Sequence, residues 1–459
     1  MARDSGSAML GLPTEWAAPA APKMRWFVLL SYALGSSLNA FMFMNFSSDE
    51  ELATEVFGVS KTVVSSFYTW SLVSVLVSMV VAVYFMTDYN RSVQIVAGMM
   101  NLTAALVRWY AVRSRSATVC VVSCVFSGMA AGCIVSNMST VGERWFPPRS
   151  RTLATSIASL SNYFGWAVGC LIPPFTISSP RTMENFMIVQ TVVAAVALLG
   201  VVAFYRSWPD VPLMRARGTA PAEHQGMLES LRMVCRDPQL AMQILCFGLI
   251  FGVGFAIPAL LDLVFSNALG LSSQVTAVIN CSFILTGVAG GILIASRLNN
   301  PDRLAGTVRV IHVVAVVSLL AVCLVCSSIH EHWWHGAEDG AGRAVALALL
   351  SALMVVHGVA MFGIVPLALE QAAESGFPIP AEHTTSSVEW LTNGVGALVN
   401  QAAAGFGANG LWVCFVVLVA EVAVFLVLFR ARLRRTEHLE ASVPGSTGSL
   451  TALGDGSKF

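Results

Sequence analysis

The feature that most constrains this chain is a set of long runs almost free of charge, each about as long as a lipid bilayer is thick. Twelve are read, over 24–46, 62–86, 93–112, 117–140, 152–175, 184–206, 239–265, 274–296, 304–328, 344–372, 383–406 and 409–430. A spanning helix needs about 20 mostly apolar residues. The hydrocarbon core holds no water, so each segment must satisfy its own backbone hydrogen bonds, which selects helices or a closed β-barrel. A barrel needs strands of about ten residues with strict alternation. The run from Val192 to Phe204 is apolar throughout and does not alternate. Only 11% of the residues are charged, against about 25% for soluble domains. The expectation is an all-α membrane protein of twelve transmembrane helices.

The polar stretch 207–238, with Pro209, Pro212 and Pro221, divides the runs into six and six. This predicts an N-terminal bundle over 24–206, a linker over 207–238 and a C-terminal bundle over 239–430. The flanking segments 1–23 and 431–459, rich in small and polar residues, are expected to be disordered cytoplasmic tails. Lys and Arg collect on the cytoplasmic side of membrane proteins. A cytoplasmic N-terminus puts most of them there, including Arg144, Arg149, Arg151, Arg215, Arg217, Arg232 and Arg236. It leaves Lys61, Arg108, Arg113, Arg115, Arg181 and Arg343 on the other side, where the first loop is acidic (Asp49, Glu50, Glu51, Glu55). Both termini are therefore expected in the cytoplasm, and the plasma membrane is preferred over an organelle. The first apolar run is long enough to span, so no cleaved signal peptide is expected. Nearly all of the ten cysteines fall inside the runs, so they are expected to be free thiols.

The two halves repeat. Glu143-Arg-Trp-Phe146-Pro147 follows the fourth run and Glu374-Ser-Gly-Phe377-Pro378 follows the tenth. The same offset aligns Ser156 with Ser387, Leu160 with Leu391, Asn162 with Asn393, Gly165 with Gly396 and Val168 with Val399. Runs four and ten cross in the same sense, which makes the repeat parallel. Parallel repeats about an axis along the membrane normal typify the halves of major facilitator transporters, whose site lies between them.

Four segments then resemble the feline leukaemia virus subgroup C receptor-related (FLVCR) transporters of the major facilitator superfamily. They are Arg25-Trp-Phe-Val-Leu-Leu30 running on to Phe41; Trp145-Phe146 with Asn162, Gly165 and Leu171-Ile-Pro-Pro174; Leu260-Leu261-Asp262; and Gly363-Ile-Val-Pro366 running to Glu370, Glu374 and Phe377-Pro378. The resemblance implies the superfamily fold, two parallel pseudo-symmetric six-helix halves, and facilitated movement of a small organic solute. Choline or ethanolamine, and haem, are the leading candidates. It also implies an aromatic box. Its tryptophan on the first helix and tyrosine on the seventh correspond here to Phe43 and Phe255, its helix-five glutamine to Tyr163, and its helix-eleven glutamine falls near Asn393. Phe offers a cation a weaker ring face than Trp.

Ionisable groups inside spans are costly and usually functional. Glu389 in run eleven can bind a cation or take up a proton, or it can serve as a structural partner. Glu370 and Glu374 lie four residues apart on one helix face, Glu370 toward the cavity. Glu143 and Glu374 are read as an inner gate, together with Arg144 and pairing with Asp88, Arg91, Asp302 and Arg303; static loop capping is the alternative. Gly248, Gly252, Gly254 and Pro258 predict a broken seventh helix, the form that often lines transporter sites. Asp262 at its end either attracts a cation at the outer mouth or marks the helix terminus. Asn39, Phe43 and Asn45 give the first helix a mixed polar and aromatic face, or serve helix packing. Arg108 is expected to snorkel to the interface.

The loop His330-Glu-His332-Trp-Trp-His335 fits no closed metal motif, and interfacial tryptophans explain its rings. No metal or cofactor is expected. No P-loop is present, which argues against ATP-driven transport by this chain. Nothing indicates a catalytic pair, and net charge is zero, so neither an enzyme nor a nucleic-acid partner is expected. The expected partners are the bilayer and a small organic solute, with the chain a monomer. The competing function is a transport-inactive receptor or sensor with the same fold.

Overall fold

The computed structural model describes residues 23–146, 148–207, 227–297, 301–331, 340–379, 381–430 and 434. The expected tails apart from Lys23 and Arg434, most of the linker and the loop through His332 and His335 lie outside the described residues.

The regular structure is helical. In order the helices are α1 (Met24–Met44), α2 (Glu50–Phe57), α3 (Lys61–Ser114), α4 (Ala117–Val135), α5 (Met138–Trp145), α6 (Pro148–Thr176) and α7 (Pro180–Phe204). The second half holds α8 (Met227–Arg236), α9 (Pro238–Leu269), α10 (Ser273–Arg297), α11 (Pro301–His330), α12 (Gly340–Gly363), α13 (Val365–Gly376), α14 (Ala381–Ala404) and α15 (Gly410–Leu428). The long α3 holds runs two and three, which meet at a non-helical Tyr89. Ten segments of the described residues are long and apolar enough to cross a membrane. The other two expected spans, α6 and α14, have 29 and 24 residues and pack in the same bundle. Their polar residues, placed toward the interior, keep them out of the apolar set.

Local chemistry sets several ends. Asp49 caps α2 by accepting a hydrogen bond from the Leu52 amide at 3.3 Å. Ser179 and Thr182 form a capping box on α7, with Pro180 in its first turn. Asp237 accepts from the Gln239 and Leu240 amides at the start of α9.

Two expectations about helix continuity change. The seventh span is not broken: α9 is helical through Pro258. A proline inside a helix removes one donor and crowds the preceding turn. Here side chains serve nearby carbonyls, the Tyr68 hydroxyl donating to Phe255 O at 2.8 Å and Asn280 Nδ2 to Pro258 O at 2.7 Å. The breaks fall instead in spans four and ten. Span four stops at Val135 and resumes as α5, and span ten stops at Gly363 and resumes as α13. Both short helices end at the repeated corner, at Trp145 and Gly376.

The repeat is visible in the packing. Helix α6 lies against α1 and α14 against α9; across the halves α6 meets α10 and α14 meets α3. Gly165 permits the first contact, since a Cβ there would sit 2.1 Å from Ser37 O of α1. Its partner Gly396 faces α9, near Gly252 and Phe255. Helix α9 is central, 89% of its most apolar window being buried, whereas α7 has 28% buried and turns its other faces outward. Exposed Val, Leu and Ile residues on α3, α7 and α11 form the apolar exterior. All ten cysteines are free, nine of them buried.

Arg108 does not snorkel. It is buried between α1, α3 and α4, donating to Met42 O at 2.5 Å and to Ser123 Oγ at 3.3 Å, with its guanidinium 5.3 Å from the Phe46 ring centre. A desolvated cation needs acceptors, and these supply them without a carboxylate.

Candidate functional site

Between the halves lies a narrow, partly open cavity. Its wall comes from α1 (Asn39, Phe43), α3 (Leu72), α4 (Ala131, Val135), α5 (Met138), α6 (Ser159, Asn162, Tyr163, Trp166), α9 (Phe255) and α14 (Glu389, Asn393). Six of the nine residues singled out for substrate therefore meet here: Asn39, Phe43, Tyr163, Phe255, Glu389 and Asn393.

The aromatic rings form one continuous layer. Trp166 is edge-on to Phe255 with ring centres 4.5 Å apart, and lies 6.0 Å from Tyr163 and 6.4 Å from Tyr68. Phe43 is edge-on to Tyr68 at 6.0 Å, and Tyr163 to Phe362 at 5.3 Å. Edge-to-face packing is the favoured arrangement for such rings. The large ring of this layer is Trp166, which sequence reasoning passed over. The available signal was an aromatic pair, Tyr163 and Trp166, three residues apart on α6, the helix that also carries Asn162.

The polar groups divide into held and open ones. Asn39 Nδ2 donates to Asn101 Oδ1 at 2.7 Å and Ser127 O at 2.9 Å. Asn393 Nδ2 donates to the Glu389 carbonyl at 2.8 Å, and Asn162 Nδ2 to Ser36 Oγ at 3.4 Å. The Glu389 carboxylate lines the cavity with its residue 7% exposed. Among the described residues, no hydrogen bond or ion pair reaches that carboxylate. Beside it, Trp390 Nε1 donates to Leu76 O across the halves at 3.1 Å.

Three expected substrate residues stand elsewhere. Asn45 is buried and donates to Gln190 Oε1 of α7, so it serves helix packing. Glu370 is exposed on α13 and does not line the cavity. Asp262 is no open mouth; it is buried, accepting from the Glu50 amide at 3.1 Å and Ser273 Oγ at 3.3 Å.

Of the expected gate, the side chains of Asp88, Glu143, Asp302 and Arg303 lie outside the described residues. Arg91 is exposed, and its guanidinium donates to Val202 O at 3.0 Å, a contact within its own half. Arg144 is half-buried on α5 and Glu374 is buried at the end of α13.

Polar contacts between halves gather at the end of the molecule that carries α2. Besides Glu50 with Asp262, Lys61 Nζ donates to Ser266 Oγ at 3.2 Å, Gln274 Nε2 to Pro174 O at 3.1 Å and Asn400 Nδ2 to Ser65 O at 3.1 Å. The cavity lies on the other side of the aromatic layer, toward the end where Trp26 meets Phe146 and where Gln239 reaches Leu428 O.

Residues 26–408 match the Major Facilitator Superfamily model. The chain belongs to the major facilitator superfamily. It is 23% identical over 93% of its length to Solute carrier family 49 member A3 of Danio rerio, covering 92% of that protein. It is 20% identical over 78% of its length to the Choline/ethanolamine transporter FLVCR2 of Homo sapiens, covering 67% of it. This superfamily member is thus FLVCR-like. Its fold is similar to a bacterial homologue of the human lysosomal transporter Spinster in an inward-facing and unoccupied conformation. The TM-score is 0.61 and the identity 14%, over 88% of this chain and 95% of that one. It is also similar to a D-xylose-proton symporter, with TM-score 0.62 and 12% identity over 88% and 98%. The protein is an integral, multi-pass transporter and not an enzyme.

Proposed function

We propose that this superfamily member carries a small organic cation across its membrane by alternating access, as a uniporter or secondary carrier. The observation that supports this most directly is Glu389, a cavity-lining residue whose carboxylate has no protein partner among the described residues, beside the ring layer of Phe43, Tyr163, Trp166 and Phe255. Desolvating a carboxylate is expensive unless something compensates it, and a bound cation does so. Rings around a quaternary or primary ammonium add attraction through their faces. The relatives named for choline and ethanolamine transport make those two the leading solutes, with haem the further candidate.

Alternating access requires one end closed while the other is open. The cross-half contacts at the α2 end, and the cavity on the far side of the rings, fit a state open toward the termini. With the N-terminus in the cytoplasm, that state is inward-facing. The gate residues Glu143, Arg144, Glu374, Asp88, Arg91, Asp302 and Arg303 then lie at the open end, where they close once the cavity is offered to the opposite side.

The test is uptake of labelled choline, ethanolamine and haem by purified protein in liposomes. Saturable uptake of an ammonium solute, with haem inactive, is the expected result. A folded protein that moves none of the three overturns the reading.

A further inference from the structure

The α2 end contains an arrangement that substrate binding leaves unexplained. Helix α2 has only eight residues and sits between the first two spans. Its first residue, Glu50, is 1% exposed. The Glu50 amide donates across the halves to Asp262 Oδ2 of α9. Yet both oxygens of the Glu50 carboxylate, and Oδ1 of Asp262, are buried and have no hydrogen-bond partner among the described residues. Three buried, unpartnered carboxyl oxygens at one seam is a costly arrangement when the groups are ionised.

The charged surroundings do not relieve it. The groups acting on this seam are Asp262 from α9, Asp49 from the turn before α2, Lys61 from the start of α3 and, beside Asp262, the Cys170 thiol of α6. Lys61 is the cation among them, and its ammonium is bonded to Ser266 Oγ rather than to either carboxylate. Asp49 is used as the α2 cap. Burial, and then the Asp262 carboxyl group, push Glu50 well above the usual carboxylate range, with Lys61 opposing.

We propose that this seam is a proton-locked latch: the halves close over α2 while the Glu50–Asp262 pair holds a proton, and losing that proton releases the α2 end. The inference rests on the alternating-access reading above. The sign follows from linkage. When the end opens, Glu50 meets water and returns toward its ordinary value, so the closed state binds a proton that the open state does not. Raising the pH from the ordinary carboxylate range upward therefore favours the open α2 end, and lowering it favours closure.

The latch is tested on purified full-length protein in nanodiscs, with spin labels at Ser60→Cys and Ser272→Cys in a Cys235→Ser background. Ser60 and Ser272 are exposed and flank the seam on opposite halves, and Cys235 is the exposed native thiol. At pH 5.5 without sodium the label-to-label distances should form one short population; at pH 8.5 a longer one should appear. Glu50→Gln, and separately Asp262→Asn, should hold the short population at both values, while Glu51→Gln, on the exposed side of α2, should behave as the parent. A distribution indifferent to pH in the parent overturns the latch, as does a Glu50→Gln protein that still opens at high pH. If sodium restores the short distance at pH 8.5, the locking ion is a metal cation and the proton latch is overturned. Liposome uptake separates this from the transport reading: uptake with a pH-independent seam removes only the latch, and a pH-switching seam without uptake removes only transport.

Discussion

The two halves place matching residues on α6 and α14 but put different chemistry on them. Asn162 and Asn393 hold equivalent places, as do Gly165 and Gly396. At three neighbouring positions the copies part. Where α6 has Ala158, Tyr163 and Trp166, α14 has Glu389, Gly394 and Ala397. Of this matched pair, α6 thus supplies rings and α14 the charge, and the cavity between them receives both. A repeat conserves the scaffold positions because each half must solve the same packing problem. It is free to diverge where the side chain meets the cavity.

The scaffold pair offers the largest effect. A Cβ on Gly165 meets a backbone oxygen at 2.1 Å, and backbone cannot step aside; a Cβ on Gly396 meets its neighbours at 3.3–3.4 Å. Gly165→Ala should cost about 3 kcal/mol of overpacking, and Gly396→Ala about 1 kcal/mol or less. Thermal unfolding of the two detergent-solubilised proteins checks this; equal losses would mean the copies do not differ in how closely their helices approach.

Next comes the charge. Glu389→Gln keeps the shape and removes the carboxylate, and should weaken binding of an ammonium solute at least about tenfold, or about 1.4 kcal/mol, without lowering the unfolding temperature. Unchanged affinity by equilibrium binding would remove the charge from the C-terminal side of the comparison. On the ring side, Trp166→Leu should weaken the same solute about three- to tenfold, within the range of a desolvated cation–π contact, and Phe43→Leu by less. The reverse order would return the principal ring to α1. The smallest effect belongs to Asn393→Ala. Its amide already bonds the Glu389 carbonyl of its own helix, so affinity should fall only about twofold.

Much of this was legible in the sequence. Apolar runs of bilayer length carry the helices, and the offset between Asn162 and Asn393 carries the parallel halves. The aromatic and acidic positions Phe43, Tyr163, Phe255 and Glu389 follow from resemblance and from the cost of a buried charge. What escaped depended on which neighbour a side chain meets. Pro258 looked like a break, but Tyr68 and Asn280, distant in sequence, serve carbonyls beside it. Asp262 could be read as an outer mouth or as a helix terminus, because nothing in the first loop predicts that α2 folds over it. Trp166 was not singled out because its importance lies in the rings of other helices around it. Arg108 looked interfacial because its distance from the end of α3 says nothing of the acceptors on α1 and α4.

Arg108 also bears on how the chain is made. Its charge is satisfied by Met42 of α1 and Ser123 of α4, residues that flank it in the order of synthesis. A nascent chain that has released only the residues through Ser114 into the bilayer carries a guanidinium with half of its acceptors still in the ribosome. Such a charge is costly in lipid, so the third span is stable only in company. The first four spans must therefore leave the insertion machinery together or be held there until α4 arrives. A chain cut short between residues 108 and 123 lacks the Ser123 acceptor and leaves the guanidinium only partly satisfied, before any solute site has been built.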